Sequence, residues 1–209
     1  YLETEEDIIM RRTPEDSSED AVFFAARDTN RAFKTLDEGQ TWDLVRECPE
    51  EITDFAIVDS ERLYFVDDDG ELFIAQWTKI RRWYVWDWTR EIETGLDPGD
   101  DRYSIAYYGD NYILVGDGDE GKIALSVDGG ETWEVLPDLP PAVGEVHIAL
   151  DEEFNLNKLV YAATEDGTSA IYRWTVGVSA EWVSLNPPDA GFTALAQTTD
   201  VLYGAFGHG

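Results

Sequence analysis

Two stretches decide the reading: Thr35-Leu36-Asp37-Glu38-Gly39-Gln40-Thr41-Trp42 and Ser126-Val127-Asp128-Gly129-Gly130-Glu131-Thr132-Trp133. Each opens on a hydroxyl residue, sets an Asp two places later and a Gly two places after that, and closes on Thr-Trp. Their wider frames, KTLDEGQTWDLV from Lys34 to Val45 and LSVDGGETWEVL from Leu125 to Leu136, are near copies. A repeat of this kind means that one supersecondary unit has been multiplied along the chain. Walking from Trp42 to Trp133 passes Trp88 about halfway, and walking on reaches Trp182, a period of about 46 residues.

Within each period four short apolar runs follow in the same order. The first is ITDFAIV (52–58), YSIAYYG (103–109), VHIAL (146–150) or FTALAQ (192–197). The second is AVFFAAR (21–27), RLYFVD (62–67), NYILVG (111–116), KLVYAAT (158–164) or VLYGAFG (201–207). An acidic, Gly-containing turn follows most of these (DDDG, DGDEG, EDGT), and Asp-Gly beside alternating hydrophobics is a strong hairpin signal. The third runs are RAFKT, ELFIA, KIALS and AIYRW, and the fourth, bearing the Trp, are TWDLV, YVWDW, TWEVL and EWVSL. Val, Ile, Tyr, Phe and Trp fill the runs and no helical periodicity shows, so the class is all-β. A twisted four-stranded sheet leaves apolar faces open, and stacking such sheets around an axis covers them. The expected fold is a β-propeller of four-stranded antiparallel blades over 8–48, 52–92, 103–138 and 146–186, with a partial blade at 192–207. Ile8 to Arg12 supplies the first strand of blade one, across the acidic insertion PEDSSED (14–20). About four and a half blades leave a ring open, so the chain is expected to form one propeller domain, or a fragment of one, within a larger ring of six to eight blades.

The two eight-residue stretches match the pattern [ST]-x-D-x-G-x-T-W, and through them the chain resembles the Asp-box (BNR-repeat) propellers. These include sialidases, xyloglucanase-type glycosidases, sortilin-type receptors and photosystem II assembly factors. The resemblance implies boxes at the periphery, between third and fourth strands, away from any active site. Thr35, Asp37, Gly39, Thr41 and Trp42, with Ser126, Asp128, Gly130, Thr132 and Trp133, are therefore read as structural. The Asp carboxylate can accept turn N–H groups, the Gly supplies positive φ, and the Trp packs. A sialidase resemblance would further imply an arginine triad, a Tyr–Glu pair and an Arg-Ile-Pro motif. Here Arg11-Arg12-Thr13-Pro14 misses that motif, and Arg27, Arg31, Arg62, Arg90, Arg102 and Arg173 do not recur at one blade position. A xyloglucanase-type site would need two carboxylates across a cleft, one of raised pKa. Pairs abound in so acidic a chain and single none out.

Composition narrows the partners. Fifteen basic residues against 45 acidic ones give a net charge of −30, which repels phosphate backbones and disfavours nucleic acid and anionic membrane surfaces. No apolar run approaches the ~20 residues of a membrane span, so no transmembrane segment is expected. Only Lys34, Lys79, Lys122 and Lys158 are lysines, and such a surface suits saline or calcium-rich extracellular surroundings. Cys48 stands alone and reads as a core filler; His147 and His208 belong to no catalytic or metal-spaced cluster. The acidic turns, including DPGDD (97–101) and Asp151-Glu152-Glu153, read first as solvated hairpin turns. If a cofactor is bound it should be Ca²⁺, on hard oxygens of Asp67, Asp69, Asp117 or Asp119, although none completes an EF-hand loop. One basic island remains, WTKIRRWYVWDWTR (77–90), in place of a box in blade two. Arg81, Arg82, Trp83, Trp86 and Trp88 are either a docking or sugar-stacking patch or an outer strand packed on neighbouring blades. The packed reading sets Trp83 and Val85, then Trp86 and Trp88 after a bulge, against neighbouring blades, with Arg81 and Arg82 over rings.

These readings converge on a non-catalytic propeller, exported to the cell surface or extracellular space. It would act as a scaffold or protein-interaction domain, for instance of a surface-layer protein. Its partners would be other chains, the remainder of a larger polypeptide, or copies of itself. The alternatives are a sialidase- or xyloglucanase-like glycoside hydrolase fragment and a photosystem-assembly-factor-like propeller; the latter leads one to expect an arginine patch.

Overall fold

The computed structural model describes residues 8–13, 22–26, 29–88, 91–99, 102–109, 111–140, 144–165, 171–185, 191–198 and 201–206. The chain divides into two compact units, Tyr1–Glu93 and Thr94–Gly209.

In the first unit seven strands form one antiparallel sheet in sequential order: β1 (Ile8–Arg12), β2 (Val22–Ala26), β3 (Thr29–Thr35), β4 (Asp43–Asp59), β5 (Arg62–Asp67), β6 (Leu72–Ile80) and β7 (Trp83–Trp88). The sequence divides this span into two blades near residue 50, whereas the backbone runs through as the 17-residue β4. The division survives in the pairing. The start of β4 lies against β3 (Lys34↔Asp43), and its end against β5 (Ile57↔Leu63). The changeover is at Ile52, which pairs with both Thr29 on β3 and Asp67 on β5. Pro49 lies in the register break just before it, where a residue with no N–H to give the ladder is tolerated.

The core of this unit comes from both faces of the sheet. Phe23, Phe55, Leu63 and Phe65 are fully buried, each burial being worth roughly 1.5–3 kcal/mol. Phe55 stacks on Phe65 at 5.6 Å, Phe65 meets Trp88 at 5.0 Å, and Phe23 meets Trp86 edge-on at 6.3 Å. Cys48 fills a place in the same core as a free thiol, and burial pushes its pKa up to about 12. Arg11 on β1 reaches the buried carboxylate of Asp54 on β4 at 3.1 Å.

The second unit has three sheets. Strands β8 (Ser104–Tyr108), β9 (Tyr112–Gly116), β10 (Ile123–Ser126) and β11 (Glu134–Val135) make the first. Strands β12 (Val146–Leu150), β13 (Leu159–Thr164), β14 (Ile171–Thr175) and β15 (Val183–Ser184) make the second. The hairpin β16 (Phe192–Thr198) and β17 (Val201–Phe206) is the third. The first two share one core: Leu114, Ile123 and Leu125 from one, Val160, Trp174 and Trp182 from the other. Trp182, at the position of the box tryptophans, donates its indole N–H to the Pro137 carbonyl at 2.7 Å, stitching the two sheets together. Gly116 permits the approach. A Cβ there would lie 2.7 Å from Ser104 Oγ and 3.1 Å from Val146 Cβ.

One element departs from the all-strand expectation. A single helical turn, α1 (Phe154–Asn157), links β12 to β13. One turn shows no periodicity for a sequence to display; what holds it is Phe154, fully buried with its ring 5.2 Å from Tyr108 and 5.1 Å from Tyr112. Asp151 supports the entry by accepting the Glu153 N–H at 3.0 Å, and Lys158 closes it in the left-handed region at φ 56°.

Candidate functional site

The two boxes fold alike. They lie between β3 and β4 and between β10 and β11, the third and fourth strands of their repeats. Asp37 Oδ1 accepts the Thr41 N–H at 2.8 Å and the Thr35 hydroxyl at 2.8 Å, and its Oδ2 accepts the Thr41 hydroxyl at 2.6 Å. Asp128 repeats this with Thr132 N–H (2.9 Å), Ser126 hydroxyl (2.8 Å) and Thr132 hydroxyl (2.6 Å). The opening hydroxyl in turn accepts the Gly39 or Gly130 N–H. These donors hold both carboxyls down at about 2, the Thr41 or Thr132 hydroxyl contributing most. A carboxylate so fully engaged is fixed as an ionised turn anchor and is unsuited to shuttling a proton near neutrality. Positive φ occurs at two consecutive positions of each box, at 59° and 85° for Glu38 and Gly39 and at 78° and 93° for Gly129 and Gly130. The sequence reading assigned it to the second alone. Trp42 packs on its turn, 3.6 Å from where a Gly39 Cβ would stand.

Asp67 and Asp117 correspond to each other, each closing the second strand of its repeat. Both are buried rather than solvated, which corrects the expectation for these two turn positions. Asp67 Oδ1 accepts the Asp69 N–H (3.1 Å) and the Glu71 N–H (2.8 Å), and Asp117 Oδ1 accepts the Asp119 and Glu120 N–H groups, both at 2.7 Å. Burial raises the Asp67 carboxyl to about 6 and raises that of Asp117, which also shares a hydrogen bond with the Asp119 side chain. Asp69 and Asp119 are exposed. Among the described residues no group of three or more His, Cys, Asp or Glu is placed to hold a metal ion.

The basic island forms the β6–β7 hairpin. Its ladder runs unbroken from Ala75↔Trp88 to Ile80↔Trp83, so the expected bulge is absent and alternation alone sorts the faces. Trp86 and Trp88 share one face and join the unit's core, Trp86 buried and Trp88 half-buried. They leave the proposed patch. Trp83, on the opposite face, is 76% exposed beside the exposed turn residues Arg81 and Arg82. The cation lying over a ring here is Lys79, 5.5 Å from Tyr84, rather than either arginine. Arg90 and Arg27 lie outside the described residues, as does His208.

Two concave surfaces accompany these features. In the second unit a polar recess of about 700 Å³ is lined by residues including Asp151, Glu152, Glu153, Tyr161 and Arg173. Its central carboxylate is engaged: Asp151 accepts Asn157 Nδ2 at 2.7 Å, the Tyr161 hydroxyl at 3.0 Å and the Glu153 N–H, and these donors hold its pKa down against burial. In the first unit an outer groove of about 350 Å³ brings together Lys34, Leu36, Asp43, Leu44, Glu61, Trp77 and Trp86. The sequence reading missed this groove, because its lining is drawn from four strands and their turns. The paired ladder Trp77↔Trp86 was the local signal that could have found it.

No protein-family model matches the chain, and no curated protein matches it in sequence. Solved structures do. Virginiamycin B lyase from Staphylococcus aureus superposes with a TM-score of 0.65 at 14% identity, covering 96% of this chain and 67% of that one. YCF48 bound to D1 peptide gives 0.58 at 16% identity, over 96% of this chain and 65% of that one. A GH74 enzyme of Niastella koreensis gives 0.54 at 14% identity, over 89% and 28%. All three are propeller proteins. The fold is a partial β-propeller. Its blades are the four-stranded antiparallel repeats described above, and the chain spans about two thirds of the lyase and YCF48 chains. No helix among the described residues is long and apolar enough to cross a membrane.

Proposed function

We propose that this partial propeller is a non-catalytic, Asp-box-type scaffold that binds other proteins, exported to the cell surface or extracellular space. One observation carries the reading: the β6–β7 hairpin presents Trp83, Tyr84, Arg81 and Arg82 to solvent in a chain of net charge −30. Trp, Tyr and Arg are the side chains that dominate protein interfaces, and a basic tip on an acidic body steers a partner toward one place. The box carboxylates support the non-catalytic half of the reading, since their hydrogen bonds make them turn anchors. The acidic, lysine-poor composition supports an extracellular setting. The likeness to a peptide-bound YCF48 agrees with a protein partner and supplies no more than the fold.

The test is site-specific photo-cross-linking in the native host, with benzoylphenylalanine in place of Trp83 and, as control, of exposed Val178. The expected result is a discrete protein adduct from position 83 alone. Equal or absent labelling at the two positions would sink the hairpin as a contact. Hydrolysis of xyloglucan or aryl glycosides by the intact chain would replace the scaffold with the glycosidase reading.

A further inference from the structure

We propose that the outer groove of the first unit binds an extended, proline-bearing, basic segment of a partner protein. This deepens the protein-binding reading and rests on it. The groove's volume of about 350 Å³ lies at the lower end of ligand pockets and holds about two or three residues of an extended chain. Its aromatic side is pre-arranged: Trp77 stacks on Tyr84 at 6.2 Å with 16° between planes, and meets Trp86 at 5.7 Å. Trp77 sits on β6, which has a hydrogen-bonded neighbour on either side, so it offers a ring rather than a backbone edge. A polyproline-type segment suits that offer. It pairs with no strand, repeats its rings every three residues, and loses little entropy on binding because it is already extended.

The remaining lining decides between ligands. Leu36 and Leu44 are 56% and 47% exposed, and together with the rings they give the groove an apolar character. A saccharide would set hydroxyls against those leucines and leave them without partners, whereas proline and leucine side chains would cover them. The carboxylates in the lining are Asp43 and Glu61. Lys34 lines the groove as well, with its ammonium engaged by the Ser60 carbonyl at 2.9 Å and lying 5.6 Å from the Phe23 ring. Lys79 is outside the lining, over Tyr84. Two carboxylates against one engaged ammonium, on a body of net charge −30, favour a ligand with arginine or lysine and repel an acidic one.

The experiment is fluorescence anisotropy of the whole chain with a labelled decapeptide, PPLPRPPLPR. It is compared with the same peptide carrying Glu for Arg, an alternating Thr-Val peptide of equal positive charge, and a xyloglucan oligosaccharide as competitor. The basic proline peptide should bind with Kd of about 10–100 μM and the others more weakly. Leu36→Glu with Leu44→Glu, both exposed and so tolerable to the fold, should weaken it about tenfold or more, as should Trp77→Ala. Asp43→Asn with Glu61→Gln should weaken it about threefold and flatten its dependence on NaCl. Val178→Ala, an exposed position of the second unit, should leave it unchanged. Peptide binding that survives both groove variants overturns the groove assignment and leaves the protein-binding reading standing. Preference for the Thr-Val peptide or the acidic one overturns the ligand class, and displacement by the oligosaccharide overturns it in favour of a sugar. Absence of binding by every probe overturns the groove proposal, while cross-linking at position 83 independently decides the wider reading.

Discussion

Glu38 occupies the left-handed region at φ 59°, where the second repeat has Gly129 at φ 78°. An L-residue there costs about 1–2 kcal/mol, partly offset by the extra entropy that glycine loses on folding. Glu38→Gly should therefore stabilise the protein by about 0.5–1 kcal/mol, read as a higher denaturant midpoint at unchanged slope. Gly129→Glu should destabilise by a similar amount, and a neutral result at both sites would show that the turn relaxes around either residue. The box was legible in the sequence because its bonds join residues two and four places apart, Thr35 to Asp37 and Asp37 to Thr41. The conformation of its fourth position was not. Glu38 and Gly129 look like a variable site, and the shared positive φ shows only in the backbone.

At the scale of the element, close approach rather than hydrophobicity sets the tightest requirement. Gly116 ends β9 where the next sheet comes nearest, with Ser104 Oγ donating to the Val146 carbonyl alongside. Gly116→Ala would press a methyl into that seam and should cost about 1–3 kcal/mol, measured by urea unfolding. If the variant is as stable as the parent, the two sheets can part without loss and the shared core is looser than its packing implies. Strand order was readable because each strand has its own apolar run and most turns their own Asp or Gly. The fusion of two blades through β4 was not, since Pro49 reads as a break and Cys48 to Glu51 carry no apolar alternation. Nor was α1, a single turn held by one buried ring. In the hairpin the sequence showed which residues gather but not their sides. The patch reading put Trp86 and Trp88 on the surface and the packed reading turned them inward through a bulge; they do face the core, but by plain alternation along the unbroken ladder from Ala75↔Trp88 to Ile80↔Trp83.

At the scale of the whole molecule, two sets of carboxylates pull stability in opposite directions with pH. Burial raises Asp67 to about 6, and burial together with a hydrogen bond that protonated Glu71 donates to Glu91 raises Glu71 to about 7; Asp117 moves the same way. The native state thus holds more protons than the unfolded chain between about pH 4 and 7, so these groups make stability fall as pH rises through that window. Asp37 and Asp128, lowered to about 2, contribute stability that is present above pH 4 and lost as pH falls from about 4 to 2. The two limbs leave a maximum near pH 4. The net charge of −30 at pH 7 acts with the first set, because protonation also relieves self-repulsion. Tm should therefore be higher at pH 5 than at pH 7.5. Added NaCl should raise Tm markedly at pH 7.5 and little at pH 5, because screening matters most where the charge is greatest. Glu71→Gln separates the two causes. It should flatten the part of the fall nearest pH 7 while leaving the salt response almost intact, since it removes one charge in a large excess. A Tm that climbs steadily from pH 5 to 7.5, in the parent or the variant, would mean that the buried carboxylates are relieved by a bound cation. In that case Ca²⁺ should raise Tm at pH 7.5 well beyond an equal concentration of Mg²⁺, whose small, rigid shell an open acidic turn cannot match.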